Sequence, residues 1–208
     1  MTGGGGAKGG LSPPLEADPG SDLPERVLTA DMVRTINEAA AVVPFSRVLG
    51  IEVTDISADC VRVRFAMQDD LIGNPGSRVL HGGVIAAVLD TVGGFAGLLG
   101  ILQQAEAVPA DSRPGRSPWL STIDLRTDYL RPGIGERFEA RGFALRVGSS
   151  VAVTRMELFD DDGGLLAGGR LLSVLDLAQI GRIDAGLGGV ERTDQAGGGA
   201  GLTDPGFR

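Results

Sequence analysis

Apolar residues change their period along the chain, and each change marks an element. Met32, Val33, Ile36, Ala39 and Ala40 recur at helical spacing behind Asp31, so residues 30–42 predict a short amphipathic helix, with Pro44 ending the run. Residues 51–57 and 60–67 follow as short runs rich in β-branched side chains, parted by Ala58 and Asp59, which is the pattern of a strand pair. The polar stretch 68–79 breaks regularity through Gly73, Pro75 and Gly76. Beyond a loop over 104–118 that carries prolines and charges, residues 120–130, 137–147, 151–159 and 165–175 read as four more strands. Gly148-Ser149 and Asp161-Asp162-Gly163-Gly164 are the turn signals between the last three.

Between these two sets of strands lies a run of a different kind. Residues 84–102 are apolar apart from Asp90 and Thr91, nearly the length of a membrane span. A charged Asp near the middle of such a span would cost about 2.5–3.5 kcal/mol, and glycines 93, 94, 97 and 100 dilute the hydrophobicity. A helix starting near Gly82 and buried inside the protein accounts for the same residues. Being apolar on nearly every side, it must be covered all round, and most of the available cover is β-sheet. The order predicts an α+β domain in which an antiparallel sheet wraps around one long central helix. The four glycines would let strands approach that helix closely.

Composition narrows the boundaries and the partners. Many of the 34 glycines cluster near the ends, so residues 1–28 and 179–208 read as disordered tails around one folded domain at 29–178. The net charge of −8 argues against nucleic acid, which requires a clustered basic face. Neither a secretory signal nor a transit peptide is legible at the start, and a cytoplasmic location follows by default. Cys60, the single cysteine, alternates with apolar neighbours and reads as a small packing residue rather than a reactive thiol. No phosphate loop and no Cys/His spacing suited to zinc is present, so neither a metal nor a cofactor is expected.

The candidate chemistry lies at the central helix. His81, the only histidine, precedes Gly82 and Gly83 at the predicted helix start, where free backbone N–H groups and the positive end of the dipole favour negative charge. That is the physics of an oxyanion hole; the plainer reading is a loop entry that needs glycine dihedrals. Asp90 is a carboxylate in an apolar helix, which implies either a structural pair with an arginine or a chemical role. Eight helical residues separate Gly82 from Asp90, roughly 12 Å along the axis, whereas a reacting carbonyl must lie about 3 Å from both base and donor. If both are catalytic, Gly82 of one subunit must meet Asp90 of another, as a twofold axis relating two antiparallel central helices would allow.

At this point the chain resembles a known family. Phe45-Ser46-Arg47-Val48-Leu49-Gly50-Ile51, Leu80-His81-Gly82-Gly83-Val84, Asp90, Thr122-Ile123-Asp124-Leu125 and Tyr129-Leu130-Arg131-Pro132 together look like the phenylacetic-acid-pathway (PaaI-like) type of hotdog-fold thioesterase. The resemblance covers about residues 45–177. It implies hydrolysis of an acyl-coenzyme A thioester, with coenzyme A part of the substrate. Asp90 would be nucleophile or general base, Gly82 the donor to the carbonyl, His81 an orienting group and Thr122 a residue that positions water. Alternation groups Thr122 with Asp124, Arg126 and Asp128 on one polar strand face, against Ile123, Leu125 and Tyr129.

The family often has asparagine six residues before the histidine; here that position is Pro75, with Asn74 one step earlier, so either Asn74 fills the catalytic role through a one-residue longer loop or the role is lost. Gly83 would lie against the substrate, and Arg78, Arg126 and Arg131 could meet its phosphates or simply be solvated. A homodimer is the expected assembly, with a dimer of dimers left open. Two other readings remain. A hotdog dehydratase pairs histidine with an acid in spacings not found around His81. A non-catalytic acyl-CoA sensor would need an output module.

Overall fold

The computed structural model describes residues 27–107 and 120–175. Its elements in chain order are α1 (Ala30–Val42), α2 (Pro44–Leu49), β1 (Glu52–Ile56), β2 (Val61–Ala66), a 3-10 turn (Asp69–Leu71), β3 (Ile72–Asn74), β4 (Val79–Leu80), α3 (Gly82–Glu106), β5 (Leu120–Tyr129), β6 (Arg137–Val147), β7 (Val151–Asp160) and β8 (Leu165–Leu175). The six long strands form one antiparallel sheet in the order β1-β2-β6-β7-β8-β5, and β3 pairs with β4 separately. This is the expected hotdog arrangement, a sheet curled around one central helix. The tail assigned to 1–28, apart from residues 27 and 28, the tail at 179–208 and most of the predicted loop over 104–118 lie outside the described residues.

Alternation decides which strand face meets α3. Phe138, Ala140 and Ala144 of β6, and Ala152, Thr154, Met156 and Leu158 of β7, are buried against the helix. Small residues set the separation. A Cβ on Gly142 would lie 2.5 Å from the Val92 carbonyl oxygen, and one on Gly93 2.9 Å from Leu171 and Met156. Strand and helix backbones therefore meet with no room for a side chain. Gly97 and Gly100 are similarly crowded, whereas Gly94, expected to serve the same purpose, faces open space. Although α3 is long and apolar enough to cross a membrane, most of its apolar stretch is buried inside this sheet.

Two local features depart from the sequence pattern. Pro44 does not simply end a helix: it opens α2, where its fixed φ suits the first helical position and its missing N–H costs nothing. Gly50 then closes α2 at φ 65°. The stretch over 68–79, read as irregular, contains the 3-10 turn and the small β3–β4 hairpin, which are too short to show a period. Cys60 is buried, and burial pushes its thiol above the usual range, consistent with a packing role. On the outer face, burial pushes Glu139 up, but hydrogen bonds from Arg141 and Arg64 outweigh it and hold the carboxyl below its usual range.

Candidate functional site

An α-helix begins with four backbone N–H groups that lack helical acceptors. At the start of α3 these are the N–H groups of His81, Gly82, Gly83 and Val84, and three of them find acceptors outside the helical pattern. His81 is the N-cap, in an extended conformation; its Nδ1 accepts from the Gly83 N–H at 2.9 Å. Its carbonyl oxygen accepts from Val84 at 2.9 Å and Ile85 at 3.2 Å. With Nδ1 an acceptor, the neutral ring carries its proton on Nε2. The fourth N–H, that of Gly82, meets no acceptor among the described residues. His81 is itself anchored, because its N–H donates to the Leu71 carbonyl at 2.9 Å. The histidine thus organises the first turn and leaves one donor over, at the positive end of the helix dipole.

Two turns further along, Asp90 is half-buried, and the Thr122 hydroxyl donates to its Oδ1 at 2.7 Å. No ion pair holds Asp90 among the described residues, so a structural pair with an arginine does not account for it. The bond from Thr122 corrects the simple alternation of β5. A β-bulge falls between Thr122 and Asp124 in the pairing with β8, and one extra residue reverses the side on which everything beyond it points. Thr122 therefore faces α3 together with Leu125 and Tyr129, while Asp124, Arg126 and Asp128 lie on the outer face. Thr122 is separated from the polar residues with which alternation had grouped it.

The far end of β5 reaches the other half of the site. Tyr129 Oη donates to the Gly82 carbonyl oxygen at 3.0 Å, and its ring lies over the glycine. One strand thus touches both chemical groups, Asp90 through Thr122 and Gly82 through Tyr129. Because α3 is unbroken between them, Gly82 and Asp90 of one chain remain roughly 12 Å apart along the axis. Within one chain the two candidate groups are therefore too far apart to meet the same reacting carbonyl.

The remaining candidates are placed elsewhere or are otherwise engaged. Asn74 ends β3, where its Oδ1 accepts from the Gly76 N–H at 3.1 Å and shapes the turn before Arg78. Arg78 has φ 48° and forms an exposed ion pair with Asp69 at 3.0 Å. Arg126 pairs with Asp128 at 3.1 Å on the outer face, the side of the sheet away from Asp90. Arg131 donates to the Leu165 carbonyl at 3.0 Å. Gly83 has its N–H occupied by the His81 ring. Sequence reasoning took Tyr129 only as part of a motif; the available signal was that the chain's single tyrosine closes a strand that also carries Thr122.

Comparisons with known proteins agree with this fold. A family model described as the thioesterase superfamily matches residues 78–167, from Arg78 into β8. The medium/long-chain acyl-CoA thioesterase YigI of Escherichia coli K12 is 41% identical over 119 residues, covering 57% of this chain and 77% of that protein. A solved protein from Shewanella oneidensis, described as related to the thioesterase superfamily, superposes with a TM-score of 0.63 at 35% identity, covering 72% of this chain and 100% of that one. The E. coli PaaI protein from the phenylacetic acid degradation operon shares the fold, with a TM-score of 0.57 at 16% identity over 70% of this chain and 93% of its own.

Proposed function

The chain belongs to the thioesterase superfamily, and from that premise we propose that it hydrolyses an acyl-coenzyme A thioester to a free acid and coenzyme A. The observation that carries the reading is the pair of candidate groups on α3, each contacted by β5: a helix-start N–H left without an acceptor at Gly82, and a carboxylate held by Thr122 at Asp90. A thioester carbonyl oxygen placed against the Gly82 N–H would gain stabilisation as negative charge develops on it. Asp90 either takes a proton from the attacking water or attacks the carbonyl carbon itself, and in the second case water then hydrolyses the acyl-Asp90 anhydride to release the free acid and restore the carboxylate. Either route breaks the C–S bond, and coenzyme A leaves as the thiolate. The Thr122 hydroxyl occupies one carboxylate oxygen and leaves the other for the reacting group.

The spacing of the two groups requires a second copy, and β5 offers the place for it. β5 is an edge strand of ten residues, unpaired on its outer side among the described residues, with Ile123 58% exposed. Such an edge invites pairing with another strand. A twofold axis near the middle of β5 would lay Thr122 and Asp90 of one copy beside Tyr129 and Gly82 of the other. The homodimer is therefore part of the proposed mechanism. The identity with YigI directs the choice of substrate first to medium and long acyl chains.

Release of free thiol from a panel of acyl-coenzyme A esters tests the reading. Turnover of at least one ester is expected, with Asp90→Asn reducing kcat by about a hundredfold or more at unchanged oligomeric state, in the range of a removed acid–base group. Binding of the esters without hydrolysis by either protein would replace the enzyme with a non-catalytic acyl-CoA sensor.

A further inference from the structure

A helix that begins Gly-Gly has a weakly determined first turn, because glycine restricts its own backbone less than any other residue. The donor proposed to meet the substrate, the Gly82 N–H, belongs to that turn, and its direction must be held if it is to stabilise a developing charge. The His81–Gly82 peptide that carries it is held through the His81 carbonyl by Val84 and Ile85, and His81 secures the Gly83 N–H through its ring nitrogen, but neither bond reaches the Gly82 carbonyl.

Tyr129 adds a restraint there from outside the helix. Its hydroxyl donates to the Gly82 carbonyl oxygen at 3.0 Å, across 47 residues of chain. Its ring covers the glycine closely enough that a Cβ there would lie 3.6 Å from Cε1, ordinary contact rather than a clash. Half of the tyrosine remains exposed, so burial alone does not account for its position. The same strand holds Asp90 through Thr122, and β5 thereby locates both candidate groups from one backbone.

We propose that Tyr129 is a positioning residue that restrains the Gly82 backbone from its carbonyl side, and through it the direction of the Gly82 N–H, for transition-state stabilisation. This rests on the reading of Gly82 as the carbonyl donor. Tyr129 touches neither the reacting atoms nor Asp90; it acts through the glycine. A misdirected donor weakens the transition state more than the ground state, so the loss belongs in kcat rather than KM.

The test uses the full-length protein in a double-mutant cycle. Tyr129→Phe keeps the ring and removes only the hydroxyl; it is expected to lower kcat about tenfold with KM, melting temperature and oligomeric state unchanged. It should also speed hydrogen exchange at the Gly83 and Val84 amides of the first turn. Gly82→Pro removes the N–H at a first helical position that accepts proline. In that background Tyr129→Phe is expected to cost nothing further.

Wild-type kcat in Tyr129→Phe would overturn the proposal, as would an equal loss in both backgrounds, which would show Tyr129 acting elsewhere. Full activity of Gly82→Pro would instead remove the donor reading on which the proposal stands, a failure seen without Tyr129 being altered. If no ester is hydrolysed by wild type, the exchange measurement still decides whether Tyr129 holds the first turn, and unchanged protection in the Phe variant would refute it.

Discussion

The two edges of the sheet are built to opposite ends. β1 is five residues long, bulged between Val53 and Asp55, and exposes Glu52, Thr54 and Asp55, with Asp55 paired to Arg62 at 2.9 Å. Short length, a bulge and charge are the ordinary ways of discouraging a further strand. β5 is twice as long, exposes Ile123 and Tyr129, and carries both contacts to the candidate chemistry. One edge discourages a further strand, and the other is unpaired on its outer side among the described residues. In the proposed mechanism, chemical contacts on that open edge make assembly a condition of activity.

Three substitutions sharpen that contrast. Ile123→Lys places a charge on the open edge without disturbing the buried core, and it is expected to yield monomers by light scattering with thiol release reduced about a hundredfold or more. A dimer of normal activity would show that β5 is not the interface. Thr122→Val keeps the assembly but deprives Asp90 of its hydrogen bond. A loss in kcat of about tenfold is expected, in the range of a hydrogen bond to a charged group, and unchanged kinetics would separate Thr122 from the reaction. Thr54→Lys on the closed edge should alter neither assembly nor turnover, and dissociation there would reverse the assignment of the edges.

Much of the fold was legible because its signals are periodic. An apolar run long enough for α3 has to be buried, and the paired runs before it and the four after it supply the cover. The exceptions are local. Pro44 serves as a start rather than a stop because a following helix can use its φ. The hairpin of Ile72–Asn74 with Val79–Leu80 is too short to show alternation. Gly94 faces open space although its neighbours at 93, 97 and 100 do not, since residues along a helix turn away from a given strand.

In the site, Gly82 and Asp90 were visible through chemical incongruity: a histidine and two glycines at a helix start, and a carboxylate on an apolar helix. Thr122 was reached through family resemblance, while alternation placed it on the wrong face, because a bulge leaves no fixed mark in composition. Tyr129 was hidden for another reason. A half-exposed tyrosine at a strand end is common, and only the fold shows its hydroxyl arriving at the Gly82 carbonyl.

The central claim is that each reaction centre joins Gly82 of one copy to Asp90 of the other. Asp90→Asn and Gly82→Pro chains, each slowed about a hundredfold or more alone, can be unfolded together and refolded as a mixture. In a mixed dimer one centre pairs the intact Gly82 of the first chain with the intact Asp90 of the second. With random assembly, half the dimers are mixed and each has one sound centre, so about a quarter of wild-type turnover should return. A mixture that forms mixed dimers yet stays as slow as its parents would contradict the shared site.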